Sequence, residues 1–349
     1  MKRILAVKLR PLGDAILSGT CFEALRETFP KSRITALIQP PTHELYKKSS
    51  WVDEVLAYHR GAIDKQIFWS RIWKNYLLVR ALKKRHFDLA IDFSASHRSA
   101  QFISWCKPGL KVGLGLPSIR HFYDLYANGE DELTVPATEL DRRVLHLIGL
   151  EPKPHDRVGG YWPVLAEALQ YADTFWKANR FAKEDVVLAI NPFASCESKE
   201  WYPTQWAAVL KELLANSFKL FFTCAPLERK GLGKIEKELG LKLPIYSGTS
   251  LIPLMGLYHS CKAVISVDSG PRHLAAAVGT PTLTIWGPES VSRWHPYTLE
   301  RHAVVLKEVP CRPCGLSVCV DKKHECMVML QPAEVLKALK QLLKRVMAV

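Results

Sequence analysis

The chain has 349 residues, of which 48% are apolar and 23% charged, and a formal net charge of +14; that length suits two domains of roughly 150 residues better than one core. The composition excludes long disorder, and no run approaches the roughly 20 apolar residues of a membrane-spanning helix. Met1-Lys2-Arg3 leads into a strand and not a secretory h-region, and the cysteines number nine, so a cytoplasmic protein with reduced thiols or a metal is expected over a disulfide framework.

The charge is uneven: residues 31–120 carry 16 Lys or Arg against 6 Asp or Glu. Such a stretch points either to a polyanionic partner, whether nucleic acid, an anionic membrane surface or a phosphorylated lipid within one, or to a solvated basic face.

In chain order, RILAVK at Arg3–Lys8 reads as a first strand, residues 9–14 as a turn, and residues 15–29 as a helix closed by Pro30. Asp14 therefore stands at the carboxyl end of a strand, where a carboxylate either caps a helix or takes a proton from a bound hydroxyl. Strands follow at Arg33–Ile38 and over 51–56. Trp69, Ile72, Trp73, Tyr76 and Leu77 fall at helical spacing, which predicts a stripe packed into a core. Arg71, Lys74, Lys83, Lys84 and Arg85 on the other sides leave a helix lying on a membrane surface as the second reading. A strand over 88–93 runs into SASHRS, whose Arg98 is either a bidentate contact for phosphate or carboxylate or a surface residue without a role. Turn residues at Gly159-Gly160-Tyr161-Trp162-Pro163, then a helix over 164–179, mark the expected connection between domains.

A second domain opens with a strand over 185–190, and further strands are expected over 219–223 and near Tyr246, with a helix over 251–261. AVISVDSGPRHLAAAVGTPTLTIWG, residues 263–287, reads as one βαβ unit: a strand, the tight turn Asp268-Ser269-Gly270-Pro271, a helix stopped at Gly279-Thr280-Pro281, and the strand Thr282–Trp286. Ligands of parallel sheets sit beyond the carboxyl ends of strands. Gly270 permits close approach of the backbone, and the amides of the first helical turn lack internal partners, so the turn can hold an anion. Ser269, Arg272 and His273 could add a hydroxyl, a fixed charge and a ring N–H toward a diphosphate; alternatively Asp268 or Ser269 caps the helix and His273 only packs. Cys311, Cys314, Cys319 and Cys326 have the spacing CxxC, x4, C, x6, C, open to a structural zinc, an iron–sulfur cluster, free thiols or a disulfide pair. Residues 331–345 read as a final amphipathic helix with Pro332 in its first turn.

DSGPRHLAAAVGTPTLTIWGP resembles the signature of glycosyltransferase family 9, the lipopolysaccharide heptosyltransferases, departing at Arg272 where the family often has Met. The first strand with its basic turn ending in Gly13-Asp14 resembles the amino-terminal motif of that family. Residues 88–99 resemble its D-x-x-I-D-x-x-x-x-x-R-S segment, and Lys199 to Trp206 resembles K-x-W-P-x-x-x-W with one residue inserted. The turn ending in Glu228 resembles G-x-x-x-E, with Cys224 in place of a small residue. The resemblance implies an α/β fold in the GT-B arrangement, two Rossmann-like domains facing each other across a cleft. An acceptor-binding domain would span 1–165, a connection 166–184, a donor-binding domain 185–330 and a C-terminal helix 331–349. The implied activity is inverting transfer of a heptose from ADP-L-glycero-D-manno-heptose to the inner core of lipopolysaccharide, on lipid A-Kdo or a heptosylated core. Asp14 would be the catalytic base. Lys199, Glu228, Asp268, Ser269, Gly270, Arg272 and His273 would bind the donor, and Arg10 and Arg98 the acceptor. No cofactor is implied for catalysis, since helix ends and Lys199 can neutralise the leaving diphosphate and no Asp-x-Asp pair is placed to hold a metal. The resemblance also implies a location at the cytoplasmic face of the inner membrane, with transient contact to its surface, a phosphorylated lipid A-core partner and no nucleic acid.

Other activities make different demands. A nicotinamide dehydrogenase needs GxGxxG after its first strand, and residues 8–14 lack it. A sugar-nucleotide epimerase of the same fold would turn over donor without acceptor. A basic nucleic-acid-binding protein with a cysteine metal site would bind with steep salt dependence.

Overall fold

Aliphatic runs without alternation are strands buried on both faces, as in a parallel sheet covered by helices. In the computed structural model, which describes residues 2–60, 63, 68–157, 160–321 and 323–347, these runs form two six-stranded parallel sheets. One belongs to each of two units, Met1–Pro154 and His155–Val349.

The first unit contains β1 (Arg3–Lys8), α1 (Leu12–Leu17), α2 (Gly19–Thr28), β2 (Arg33–Ile38), α3 (His43–Lys48), β3 (Glu54–Ala57), α4 (Phe68–Lys83), β4 (Leu89–Asp92), α5 (His97–Cys106), β5 (Leu110–Gly115), β6 (Leu125–Asn128) and α6 (Ala137–His146). Its strand order is β3-β2-β1-β4-β5-β6. β1 runs in register with β2 from Arg3↔Arg33 and with β4 from Ile4↔Leu89. The chain therefore leaves β1 toward one edge and returns on its other side, which opens a crevice beyond the ends of β1 and β4.

The single helix expected over 15–29 starts earlier, at Leu12, and breaks at Ser18. The break has a local cause: Ser18 Oγ lies 3.0 Å from Asp14 O and 2.5 Å from Asp141 Oδ2, so its one proton is shared between the helix carbonyl and the carboxylate, the back-bonding that distorts helices. Lys8 Nζ, also buried, donates to both Asp141 oxygens and to Phe93 O at 2.9 Å. The aromatic stripe of α4 corrects the core-packing expectation. The side chains that enter the core are Leu78, Val79 and Leu82, against Leu5, Val7, Tyr58 and Phe102, whereas Trp69, Ile72, Trp73, Tyr76 and Leu77 are exposed. Spacing locates a stripe but not the side of the helix that the sheet occupies, and α4 carries apolar residues on both sides.

The second unit contains α7 (Ala166–Ala178), β7 (Val187–Asn191), α8 (Pro203–Ala215), β8 (Lys219–Cys224), α9 (Arg229–Leu239), β9 (Ile245–Ser247), α10 (Leu251–His259), β10 (Ala263–Val267), α11 (Gly270–Ala277), β11 (Thr282–Trp286), α12 (Val291–Trp294), β12 (His302–Leu306), α13 (Glu325–Val328) and α14 (Pro332–Met347). Its order, β12-β11-β10-β7-β8-β9, repeats that of the first sheet. Strands β7, β10 and β11 are buried throughout. The segment 166–184, expected as a connection, begins with α7, which packs against α10 inside this unit. Gly256 makes that packing possible, because an added Cβ would lie 1.9 Å from Ala168 O. The division between units falls at Pro154, and Gly159 of the expected turn lies outside the described residues. Helix α14 is likewise part of this unit: Val335, Leu339 and Leu342 share one core with Trp206 and Leu210 of α8 and Leu232 and Ile235 of α9. Among the described residues no helix is long and apolar enough to cross a membrane.

Candidate functional site

In the second sheet the chain reverses between β7 and β10, so the segments that follow these two strands flank the crevice where parallel sheets hold ligands. Asn191 ends β7 and Asp268 follows β10. Ser269 Oγ donates to Asn191 Oδ1 at 3.1 Å, and Asn191 Nδ2 donates to Thr223 O at 2.9 Å. Ser269 precedes α11 with extended backbone but makes no side-chain cap; its hydroxyl is spent across the crevice, so the capping role weighed from sequence is not the one observed.

Asp268 is the hub. Its Oδ1 accepts from Arg272 Nε and its Oδ2 from Lys199 Nζ, both at 3.0 Å, and Lys199 also pairs with Glu289 Oε1 at 3.1 Å. Burial pushes the Asp268 carboxyl up, yet Arg272 and Lys199 outweigh it and hold the carboxyl below its usual range. Burial likewise lowers the Lys199 ammonium, and Asp268 and Glu289 reverse that and raise it. Asp268 and Lys199 thus stay charged, and two of the three ammonium donors of Lys199 are engaged by carboxylates. Arg272 is 1% exposed, donates to Trp294 O at 2.7 Å and lies 4.6 Å over the Trp286 ring. His273 Nδ1 lies 2.7 Å from the Tyr297 hydroxyl. Burial drives the His273 imidazole well below its usual value, with Arg272 adding to the effect, so His273 is neutral at pH 7.

Lys199, Asp268, Ser269, Gly270, Arg272 and His273 are therefore gathered at one place. Arg272 and His273 are both buried, with Arg272 bonded to Asp268 and to Trp294 O and His273 Nδ1 close to the Tyr297 hydroxyl. Glu228 stands after the neighbouring strand β8, where its carboxylate accepts from Ala225 N at 2.7 Å and burial pushes it up. In the first unit, the turn after β1 carries Arg10, whose Nε donates to Ser94 O at 2.7 Å beyond β4. Asp14 lies in the first turn of α1, half-buried, inside the helix and not at its cap. Arg98 opens α5, with its guanidinium 5.8 Å over the Tyr58 ring.

Residues 76–325 match the model of glycosyltransferase family 9 (heptosyltransferase). The chain belongs to that family. It is 31% identical to a lipooligosaccharide heptosyltransferase 2 of Campylobacter jejuni over 163 residues, 45% of this chain and 51% of that one, so the match spans about half the length of that relative. Among solved structures, a glycosyl transferase family 9 protein of Veillonella parvula superposes with a TM-score of 0.85 at 21% identity, covering 98% of this chain and 97% of the other. The Escherichia coli ADP-heptose lps heptosyltransferase II gives 0.74 at 18% identity, with 99% of each chain covered. The α/β fold with its two Rossmann-like units is shared with these proteins along nearly the whole chain.

Against this family 9 fold, the four cysteines lie in different surroundings. Cys326 is buried in the core of the second unit while Cys311 and Cys314 are exposed, and Cys319 Sγ donates to Asp321 Oδ1 at 3.0 Å. Burial, with the other three cysteines adding to it, pushes the Cys326 thiol up to about 11. All four are free thiols, and among the described residues no group of three or more His, Cys, Asp or Glu is placed to hold a metal. Trp201 and Trp206 are buried and pack edge to face at 5.4 Å. Sequence reasoning missed Asn191, Glu289 and Tyr297. Asn191 ends a strand before Pro192, and Glu289 follows Gly287-Pro288 after another, so position at a carboxyl strand end would have singled out both.

Proposed function

We propose that this chain is an inverting heptosyltransferase that moves a heptose from ADP-L-glycero-D-manno-heptose to a phosphorylated lipid A-core acceptor at the cytoplasmic face of the inner membrane. The observation that carries this reading is the set of half-buried Lys199 with buried Asp268 and Arg272 beside the uncapped amino end of α11, at the reversal point of a Rossmann-like sheet. A diphosphate there meets outward amides, the positive end of a helix dipole and the remaining donor of Lys199. Asp268 and Arg272 are positioning residues in this scheme: they hold Lys199 and the α11 turn. His273 and Tyr297 buttress the same turn. Glu228 accepts from the ribose hydroxyls, as carboxylates do in other nucleotide sites.

In the first unit, Asp14 takes the proton of the acceptor hydroxyl, and Arg10 and Arg98 hold acceptor phosphate or carboxylate. Attack at the anomeric carbon breaks the bond to ADP through an oxocarbenium-like transition state. The donor and acceptor named for the E. coli ADP-heptose lps heptosyltransferase II support the choice of substrates. The test is incubation with ADP-heptose and a panel of truncated core acceptors, read by mass. Addition of one heptose is expected; hydrolysis or epimerisation of the donor without transfer would sink the proposal.

A further inference from the structure

The outer side of α4 is left to solvent with an unusual composition. Trp69 is 74% exposed and Trp73 60%, and with Ile72, Tyr76 and Leu77 they form one stripe along the helix. Trp73 and Tyr76 stack at 5.6 Å, which makes a preformed aromatic ridge. The opposite side is committed to the fold: Leu78, Val79 and Leu82 enter the core, and the Tyr58 hydroxyl donates to Asn75 Oδ1 at 3.1 Å. From residue 68 to 85 the sequence has six basic residues and no acidic one. Arg85 is held by Glu54, whereas Lys74, Arg80 and Lys83 along the helix and Lys84 just after it are exposed.

We propose that this face of α4 docks the protein on the surface of an anionic phospholipid bilayer. Tryptophan and tyrosine concentrate at the headgroup level because their rings are apolar with a polar edge, and Ile72 and Leu77 supply the aliphatic surface that enters the acyl boundary. The flanking lysines and arginines meet lipid phosphates, an attraction that falls off within a Debye length of an anionic surface. Charge decides between occupants. A second copy meeting this face about a two-fold axis would set one basic row against another with no carboxylate from either helix between them. A nucleic acid would match the charge but would bury Ile72 and Leu77 against a phosphate backbone, to which they offer nothing. The inference rests on the lipid-borne acceptor proposed above for its purpose, though not for its observations, and vesicles without any sugar acceptor keep the two separable.

The test is co-sedimentation of the full chain with vesicles of phosphatidylethanolamine and phosphatidylglycerol, against vesicles of phosphatidylcholine alone. Binding to the anionic vesicles is expected, weakening as salt rises from about 0.1 to about 0.5 M as the Debye length shrinks. Trp69→Ser with Trp73→Ser should weaken partitioning about tenfold or more, and Lys74→Glu with Arg80→Glu should do the same while flattening the salt dependence. Thermal midpoints verify that the variants fold, and the charge-reversal pair and wild-type salt response still decide the matter if the serine pair does not. The proposal is overturned by wild-type protein that ignores anionic vesicles, or by variants that bind as wild type does. It is equally overturned by a solution dimer that Trp73→Ser dissociates, or by tight RNA binding that these substitutions abolish without change in vesicle binding.

Discussion

Asp268 shows how a charged residue is kept charged inside a fold. Alone in that position its carboxyl would be neutralised by burial; the two cations at 3.0 Å reverse the balance. The neighbouring Lys199 is then a cation aimed by two carboxylates, not a mobile surface lysine. Lys199→Met should slow transfer about a hundredfold and weaken ADP binding, because it removes charge where the diphosphate departs. Asp14→Asn keeps shape but removes the base, and should lower kcat by about a hundredfold or more while leaving ADP affinity unchanged. Single-turnover rates alongside calorimetric ADP titration separate the two variants; an Asp14→Asn enzyme at full rate would show that another group takes the proton.

At the scale of elements, the tightest approach named here is that of α7 to α10. Gly256 is needed because Ala168 O occupies the space a side chain would take. Gly256→Ala must push the helices apart and should cost about 1–3 kcal/mol, the range for overpacking a close-packed contact. A lowered thermal midpoint with unchanged ADP affinity is the expected result, and an unchanged midpoint would mean the helices part freely. The break between α1 and α2 has the opposite origin, since it comes from added bonds: Ser18 joins the buried Lys8–Asp141 pair and thereby ties the turn that carries Asp14 to β1 and α6.

For the molecule as a whole, buried neutral imidazoles set the acid limit of stability. Burial lowers His295 to about 4 and His302 to about 3, and pushes His273 down as well. The unfolded chain protonates its histidines near pH 6.5. Below that pH the unfolded state therefore binds more protons than the folded one, so the stabilisation is complete above about pH 6.5 and is lost progressively as pH falls toward 4 and then 3. Each such imidazole steepens the loss by about 1.4 kcal/mol per pH unit in that window. Urea midpoints measured from pH 7.5 to 4.5 should fall along this curve, and His302→Phe should flatten it; a midpoint constant across the range would contradict the burial of these rings.

Much of this was legible in the residues themselves. Arg3–Lys8, Arg33–Ile38 and Thr282–Trp286 are strands with the predicted bounds, because a parallel strand covered on both faces is rich in apolar and β-branched residues without polar alternation by charge. The turn at Asp268-Ser269-Gly270 was equally plain, since a glycine between a strand and a helix serves few other purposes. The short β6 and β12 at the sheet edges, LYAN and HAVVL, carry weaker patterns and came only with the fold. So did the ion-pair chain around Asp268: Lys199 and Glu289 arrive from segments separate from that of Asp268 and Arg272, and sequence order holds no such distances. Sequence by itself determined the strands, the helix-start turn and the family pattern, because these depend on neighbours within a few positions. Only tertiary structure decided that Arg272 and His273 are buried, that Cys326 is buried while Cys311 and Cys314 are exposed, and that the tryptophans of α4 face water, because each depends on what the rest of the chain packs against it.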